Sequence, residues 1–199
     1  MLKVGIYLFD DVEVLDFAGP YEVFTTASRV ALRRGDEAPF SVCTVAADAV
    51  PVRARAGLVV LPDHAMSDHP QLDVLIVPGG VVDRELQRPA LLAWIAQVAG
   101  ATQVTASVCT GAFLLAAAGV LSAGRATTHW EDQADLARAF PALSVVPDAG
   151  WVDEGRVVTS GGISAGIDMS LHLVARLADR ALAEATARQM EYRWREQAG

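Results

Sequence analysis

The chain has 199 residues, a formal net charge of −8 and 52% apolar residues. That length suits one domain, residues 1–199, burying about 70% of the surface its unfolded chain would expose. The acidity, with no basic block, argues against direct nucleic-acid binding, and two cysteines, Cys43 and Cys109, rule out a disulfide framework and give no zinc spacing.

The apolar part of the N-terminus, Val4 to Phe9, is too short for a signal peptide and runs into Asp10-Asp11. Val4 to Phe9 reads as a strand instead. Pro20 to Arg33 follows as a helix, with Pro20 at its tolerated first position. Phe40 to Ala46 is a strand, and Cys43 at its middle packs as a small hydrophobe. Leu58 to Leu61 is a candidate short strand. Asp63-His64 and Asp68-His69 resemble ligand pairs, but they lie in a Pro-flanked polar stretch that reads as a solvated loop. Leu72 to Val77 is a buried strand ending in Pro78-Gly79-Gly80. Pro89 to Ala99 has the helical spacing of apolar residues.

Gln103 to Ser107 is the next strand and Thr110 to Ala118 a helix. The whole apolar run from Val108 to Leu121 is too short to span a bilayer. The expectation is a cytoplasmic protein with no membrane partner. Ala126 to Thr128 is a strand and Trp130 to Ala139 a helix. Ser144 to Val146 and Arg156 to Thr159 are strands, with Trp151 to Asp153 a hairpin partner. Helices over Ile163 to Leu177 and Ala181 to Arg195 close the chain. Apolar strands alternating with helices predict an α/β fold: a single doubly wound domain, with a mostly parallel sheet covered by helices on both faces.

In such a sheet, ligands bind beyond the carboxyl ends of the strands. Four features fall there: Asp16, the pair Gly79 and Gly80, Cys109, and His129. Cys109 stands where a strand turns into a helix, the corner that projects a nucleophile. Nearby N–H groups of the helix start predict a lowered thiol pKa. Asp16 has two readings, a helix-capping carboxylate or a carboxyl near the thiol that holds and returns a proton. Gly79-Gly80 is either a turn or a pair of backbone N–H donors aimed at a developing anion. His129 is either a base for Cys109 or a core histidine. Gly162-Ile163-Ser164-Ala165-Gly166 matches a serine-hydrolase elbow, but the later Asp168 and His172 lie in the helix Ser164 would start and cannot turn back onto it.

With Asp16, Gly79-Gly80 and Ser107-Val108-Cys109-Thr110-Gly111 in place, the chain resembles the DJ-1/PfpI (ThiJ) superfamily. Within it, the likeness is to isonitrile hydratases and to the amidase-like domain of AraC-type regulators. Gly124 to Trp130 and Ser160 to Asp168 carry the same resemblance. It implies a flavodoxin-like, class I glutamine amidotransferase-like fold. It marks Gly162 to Gly166 as a helix start. It also implies catalytic roles for Cys109, Asp16 and Thr110; Gly79, Gly80 and His129 are expected at the substrate from their place at the strand ends. Thr110 stands where peptidase- and glyoxalase-like members carry histidine, and no His-x-Glu of the amidotransferase kind follows Trp130. The implied reaction is cysteine-dependent hydration of an isonitrile to a formamide, with no metal or organic cofactor. The implied alternatives are a ligand- or redox-sensing domain, or another cysteine hydrolase. Homodimers are the expectation for the family. A regulator would carry a helix-turn-helix segment after this domain, and the chain stops at Gly199, so direct DNA contact is not expected.

Overall fold

The computed structural model describes residues 1–196. Strand β1 (Leu2–Leu8) leads into helix α1 (Val14–Arg33), then β2 (Phe40–Ala46), β3 (Val52–Arg53), β4 (Val59–Val60), β5 (His64–Ala65) and β6 (Val74–Val77). Helices α2 (Asp83–Leu86) and α3 (Pro89–Ala101) precede β7 (Val104–Val108) and α4 (Gly111–Ala117). The remainder is β8 (Gly124–Ala126), α5 (Gln133–Ala139), β9 (Leu143–Val145), β10 (Trp151–Asp153), β11 (Val157–Ser160), α6 (Ala165–Leu177) and α7 (Arg180–Gln189). The central sheet has seven strands in the order β10-β11-β7-β6-β1-β2-β5. All its pairings are parallel except β10 with β11.

The central strands are buried on both faces because helices cover both, and β6 is wholly apolar. Every residue of β6 and β7 is buried. Helices α1, α6 and α7 pack on one another, and α2, α3 and α4 form the second group. This is the doubly wound α/β arrangement expected from the alternating pattern, of the flavodoxin-like kind the resemblance implies.

Several local expectations fail for identifiable reasons. Helix α1 begins at Val14, so Pro20 lies inside it. Its ring removes one amide donor, which would have faced the Asp16 carbonyl. Asp16 is thereby a first-turn helix residue rather than a cap upstream of the helix. Strand β8 pairs with β9 in a separate two-stranded sheet, not with the central strands. The Asp63–His69 stretch is not simply a solvated loop. His64–Ala65 adds a parallel edge to β2, and Asp63 accepts hydrogen bonds from the Thr44 amide and hydroxyl, both at 2.8 Å. The last helix stops at Gln189 instead of continuing to Arg195. Beyond it the chain folds back onto Asp168, whose carboxylate accepts from the Tyr192 hydroxyl at 3.0 Å and the Arg195 amide at 2.8 Å.

The strand-to-helix corner after β7 is packed too closely for side chains. A Cβ on Gly111 would lie 2.1 Å from the Val77 carbonyl oxygen, a rigid backbone atom. Gly111→Ala is therefore expected to cost about 3 kcal/mol, the upper end for overpacking a core. Chemical denaturation would check it; an unchanged midpoint would mean that the corner can open.

Candidate active site

Cys109 is the residue between β7 and the first turn of α4. Its φ is +54°, in the left-handed region that side chains avoid. The corner is held from several sides. The Cys109 amide donates to the carbonyls of Ser160 and Gly161 at 3.2 Å each. Its carbonyl accepts from the buried Thr128 hydroxyl at 2.7 Å. Backbone strain of this kind persists only where the surroundings over-determine it. Here it turns the sulfur out of the sheet, and the residue keeps 8% of its surface exposed.

Asp16 is completely buried. One carboxylate oxygen, Oδ2, accepts from the Gly79 amide at 3.0 Å, while Oδ1 has no partner of ordinary geometry. The Cys109 thiol and the Ile163 amide nevertheless lie near enough to favour the carboxylate. Burial outweighs them, and the carboxyl is pushed up from 3.8 to about 7. Asp16 thus lies buried within interaction distance of Cys109, although 92 residues separate them in the chain.

The thiol itself corrects the expectation drawn from the helix start. Burial, and then the charge of Asp16, push Cys109 up from 9.0 to about 12. The Thr110 amide and hydroxyl favour the thiolate, but they are outweighed. At neutral pH the sulfur rests protonated, and its activation requires a nearby proton acceptor. The Asp16 carboxyl is the charged group that acts most strongly on that thiol.

Thr110 and Gly80 lock together. The Gly80 amide donates to the Thr110 hydroxyl oxygen at 2.9 Å, and that hydroxyl donates to the Gly80 carbonyl at 2.9 Å. Both amides suggested for an anion are therefore engaged, Gly79 on Asp16 and Gly80 on Thr110. The glycine pair has a steric task as well. A Cβ on Gly79 would stand 2.6 Å from the Thr110 amide nitrogen and 2.8 Å from Cys109 Cβ.

His129 follows the small second sheet and enters the site from outside the main one. Its ring presses on Gly162, where a Cβ would lie 2.0 Å from His129 Cδ2. Its Nδ1 accepts weakly from the Glu131 amide at 3.4 Å and stands 3.5 Å from an Asp132 carboxylate oxygen. Ser164 has ordinary helical dihedrals; the strained residue of that turn is Ile163, with φ +55°. Asp168 holds the C-terminal segment, and His172 binds Asp153 at 2.7 Å. Nothing equips Ser164 as a nucleophile.

Cys109, Thr110, Gly80, His129 and Ile163 line a small cleft of about 170 Å³. Charged side chains from outside the sequence motifs complete it: Glu13, Arg55, Glu131 and Asp132. No spacing announced Arg55, which reaches the cleft from the β3–β4 turn. Among the described residues, no group of three or more His, Cys, Asp or Glu side chains is placed to hold a metal ion. No described helix is long and apolar enough to cross a membrane.

A parallel sheet that presents a cysteine from a left-handed corner, above a carboxyl from the first helix, defines a cysteine-elbow α/β protein. The chain belongs to the DJ-1/PfpI family, whose model matches residues 2–176. It is 37% identical to an isonitrile hydratase from Pseudomonas putida over 193 residues, 96% of this chain and 78% of the relative. It is 31% identical to the HTH-type transcriptional regulator GbdR of Pseudomonas aeruginosa, over 96% of this chain and 50% of the regulator. A crystal structure of a ThiJ/PfpI family protein from Pseudomonas syringae superposes with a TM-score of 0.84 at 29% identity, covering 96% of this chain and 75% of that one.

Proposed function

We propose that the protein hydrates isonitriles to N-substituted formamides through a covalent intermediate on Cys109. The observation that carries this reading is the pairing of a strained, cleft-lining thiol with a buried carboxyl poised near neutrality. The likeness to the Pseudomonas putida hydratase supplies the substrate class.

In the proposed reaction, sulfur attacks the terminal isonitrile carbon while Asp16 takes the thiol proton. The new carbon–sulfur bond leaves a carbanionic centre, and Asp16 returns the proton to that carbon, giving a thioimidate. Water adds across the carbon–nitrogen double bond. The tetrahedral adduct expels the thiol, which regains its proton, and the formamide leaves. One water is consumed, and no oxidant or reductant is needed. Splitting the hydration into two steps is the gain of covalent catalysis. Thr110, fixed by Gly80, orients the cleft around the sulfur. With the Gly79 and Gly80 amides engaged, developing charge depends on proton return from Asp16 rather than on those donors.

Purified protein incubated with a simple alkyl isonitrile, with formamide followed by NMR, tests the proposal. Formamide above the buffer rate is expected. Hydrolysis of amides with no reaction of isonitriles would move the protein to another cysteine hydrolase.

The regulator likeness favours a second reading, a sensing domain in which Cys109 is oxidised to a sulfinic acid. Oxidation follows thiolate character, and a thiol pushed up to about 12 is a poor resting target for peroxide. Selective oxidation of Cys109 by mild peroxide, with no turnover of isonitriles, would support this reading. We also infer a homodimer, which sedimentation would test.

A further inference from the structure

We propose that the Cys109 cleft is charge-selective, accepting cationic substrates in preference to neutral ones and rejecting anionic ones, with Glu131 and Asp132 as the specificity-determining residues. This deepens the proposed function and rests on Cys109 being the reacting atom.

A cleft of about 170 Å³ accommodates a small reacting group and little more. Any larger substituent must lie along the outer lining, and that lining is acidic. Glu13, Glu131 and Asp132 face a single guanidinium, that of Arg55. Arg55 is already committed, with Nη1 3.2 Å from Glu13 Oε2. Glu131 and Asp132 have no such partner among the cleft's cations. His129 Nδ1 stands 3.8 and 3.5 Å from them, and its lone pair already faces the Glu131 amide.

Two observations place this negative field on the reacting atom. Asp132 is among the charges that hold the Cys109 thiol protonated. Asp16, fully buried and accepting from the Gly79 amide, lies close enough to the thiol to add negative charge there whenever it is ionised. An anionic substituent would enter against Asp16, Asp132 and Glu131 together. A cationic one would find two carboxylates at the mouth. Both mouth carboxylates are open to solvent, so the selectivity is salt-sensitive.

The test uses methanethiosulfonates, which form a mixed disulfide on a thiol and release methanesulfinate. The trimethylammonium-ethyl and sulfonatoethyl reagents are compared at Cys109 by peptide-resolved mass spectrometry, each rate being divided by that with free 2-mercaptoethanol. At low ionic strength, the normalised rate ratio is expected to favour the cation by about tenfold, shrinking at 0.5 M salt. Glu131→Gln with Asp132→Asn should shrink the ratio severalfold without loss of fold, Asp16 retaining the remainder. A wild-type ratio at or below one, or a ratio that the double variant leaves unchanged, overturns the proposal. Turnover supplies a second arm: methyl isocyanoacetate should be hydrated faster than isocyanoacetate. If neither is hydrated but the reagent ratio holds, the hydratase reading fails and the charge selectivity stands. If isocyanoacetate is the better substrate, the hydratase reading stands and the charge selectivity fails.

Discussion

Cys109→Ala is expected to abolish formamide production, leaving only the uncatalysed rate of isonitrile hydration. The size of the effect follows from the covalent scheme. Without sulfur there is no thioimidate, and the remaining Asp16 has no nucleophile to serve within the cleft. The variant should fold normally, because Ala retains the Cβ that packs at the corner, and the held backbone contacts of the residue are amide and carbonyl groups. Product NMR and a thermal melt on the same sample check both halves. A folded Cys109→Ala protein with wild-type turnover would remove the sulfur from the mechanism.

Asp16→Asn is the second large effect, and it acts in opposite directions on activity and stability. Asn still accepts the Gly79 hydrogen bond but cannot take a proton from the thiol. A loss of about 10²–10⁴ in kcat/KM is expected, the usual range for an acid–base group. The wild-type pH profile should rise as pH passes through about 7, where Asp16 becomes a carboxylate able to accept the proton. That rise should be absent in Asp16→Asn.

Stability moves the other way because the folded protein raises the Asp16 pKa from 3.8 to about 7. Between those values the native state keeps a proton that the unfolded chain has lost. Native stability attributable to this group is therefore greatest in acid, falls as pH rises from about 4, and is fully lost above 7. Asn avoids that loss. Asp16→Asn should be more stable than the wild type at pH 8, by about 2–4 kcal/mol, and near-equal at pH 4. Denaturant titrations at the two pH values decide it. A variant less stable at pH 8 would mean that the carboxylate is satisfied in the fold.

The sheet was readable because parallel strands covered on both faces must be apolar throughout. Val74–Val77 carries that signature without interruption, and Val104–Val108 is buried throughout although Thr105 and Ser107 are polar. The elbow was readable for a related reason, since a strand, one polar corner and a small-residue helix leave few other geometries. Pro20 misled because proline is common at helix starts, whereas here the packing of α1 tolerates it in the interior. The polar stretch at Asp63 looked like a loop because a two-residue edge strand has no periodicity to detect. The wrong direction for the Cys109 thiol has a physical origin. Helix-start N–H groups can be inferred from local sequence, but the desolvation and the Asp16 charge that overcome them come from distant segments. The charges at the mouth were hidden likewise. Arg55, Glu13 and Asp132 meet through topology alone, and no motif links a turn after β3 to the segment following β8.

The central claim is that sulfur and carboxyl act as one unit on an isonitrile carbon, and intact-mass analysis during turnover tests it most directly. Quenching wild-type protein in acid with an excess of isonitrile should reveal a species heavier by one isonitrile, mapped to the Cys109 peptide, and Asp16→Asn should form it far more slowly. Formamide production with no modified Cys109 in any quench, or an adduct confined to Cys43, would contradict it.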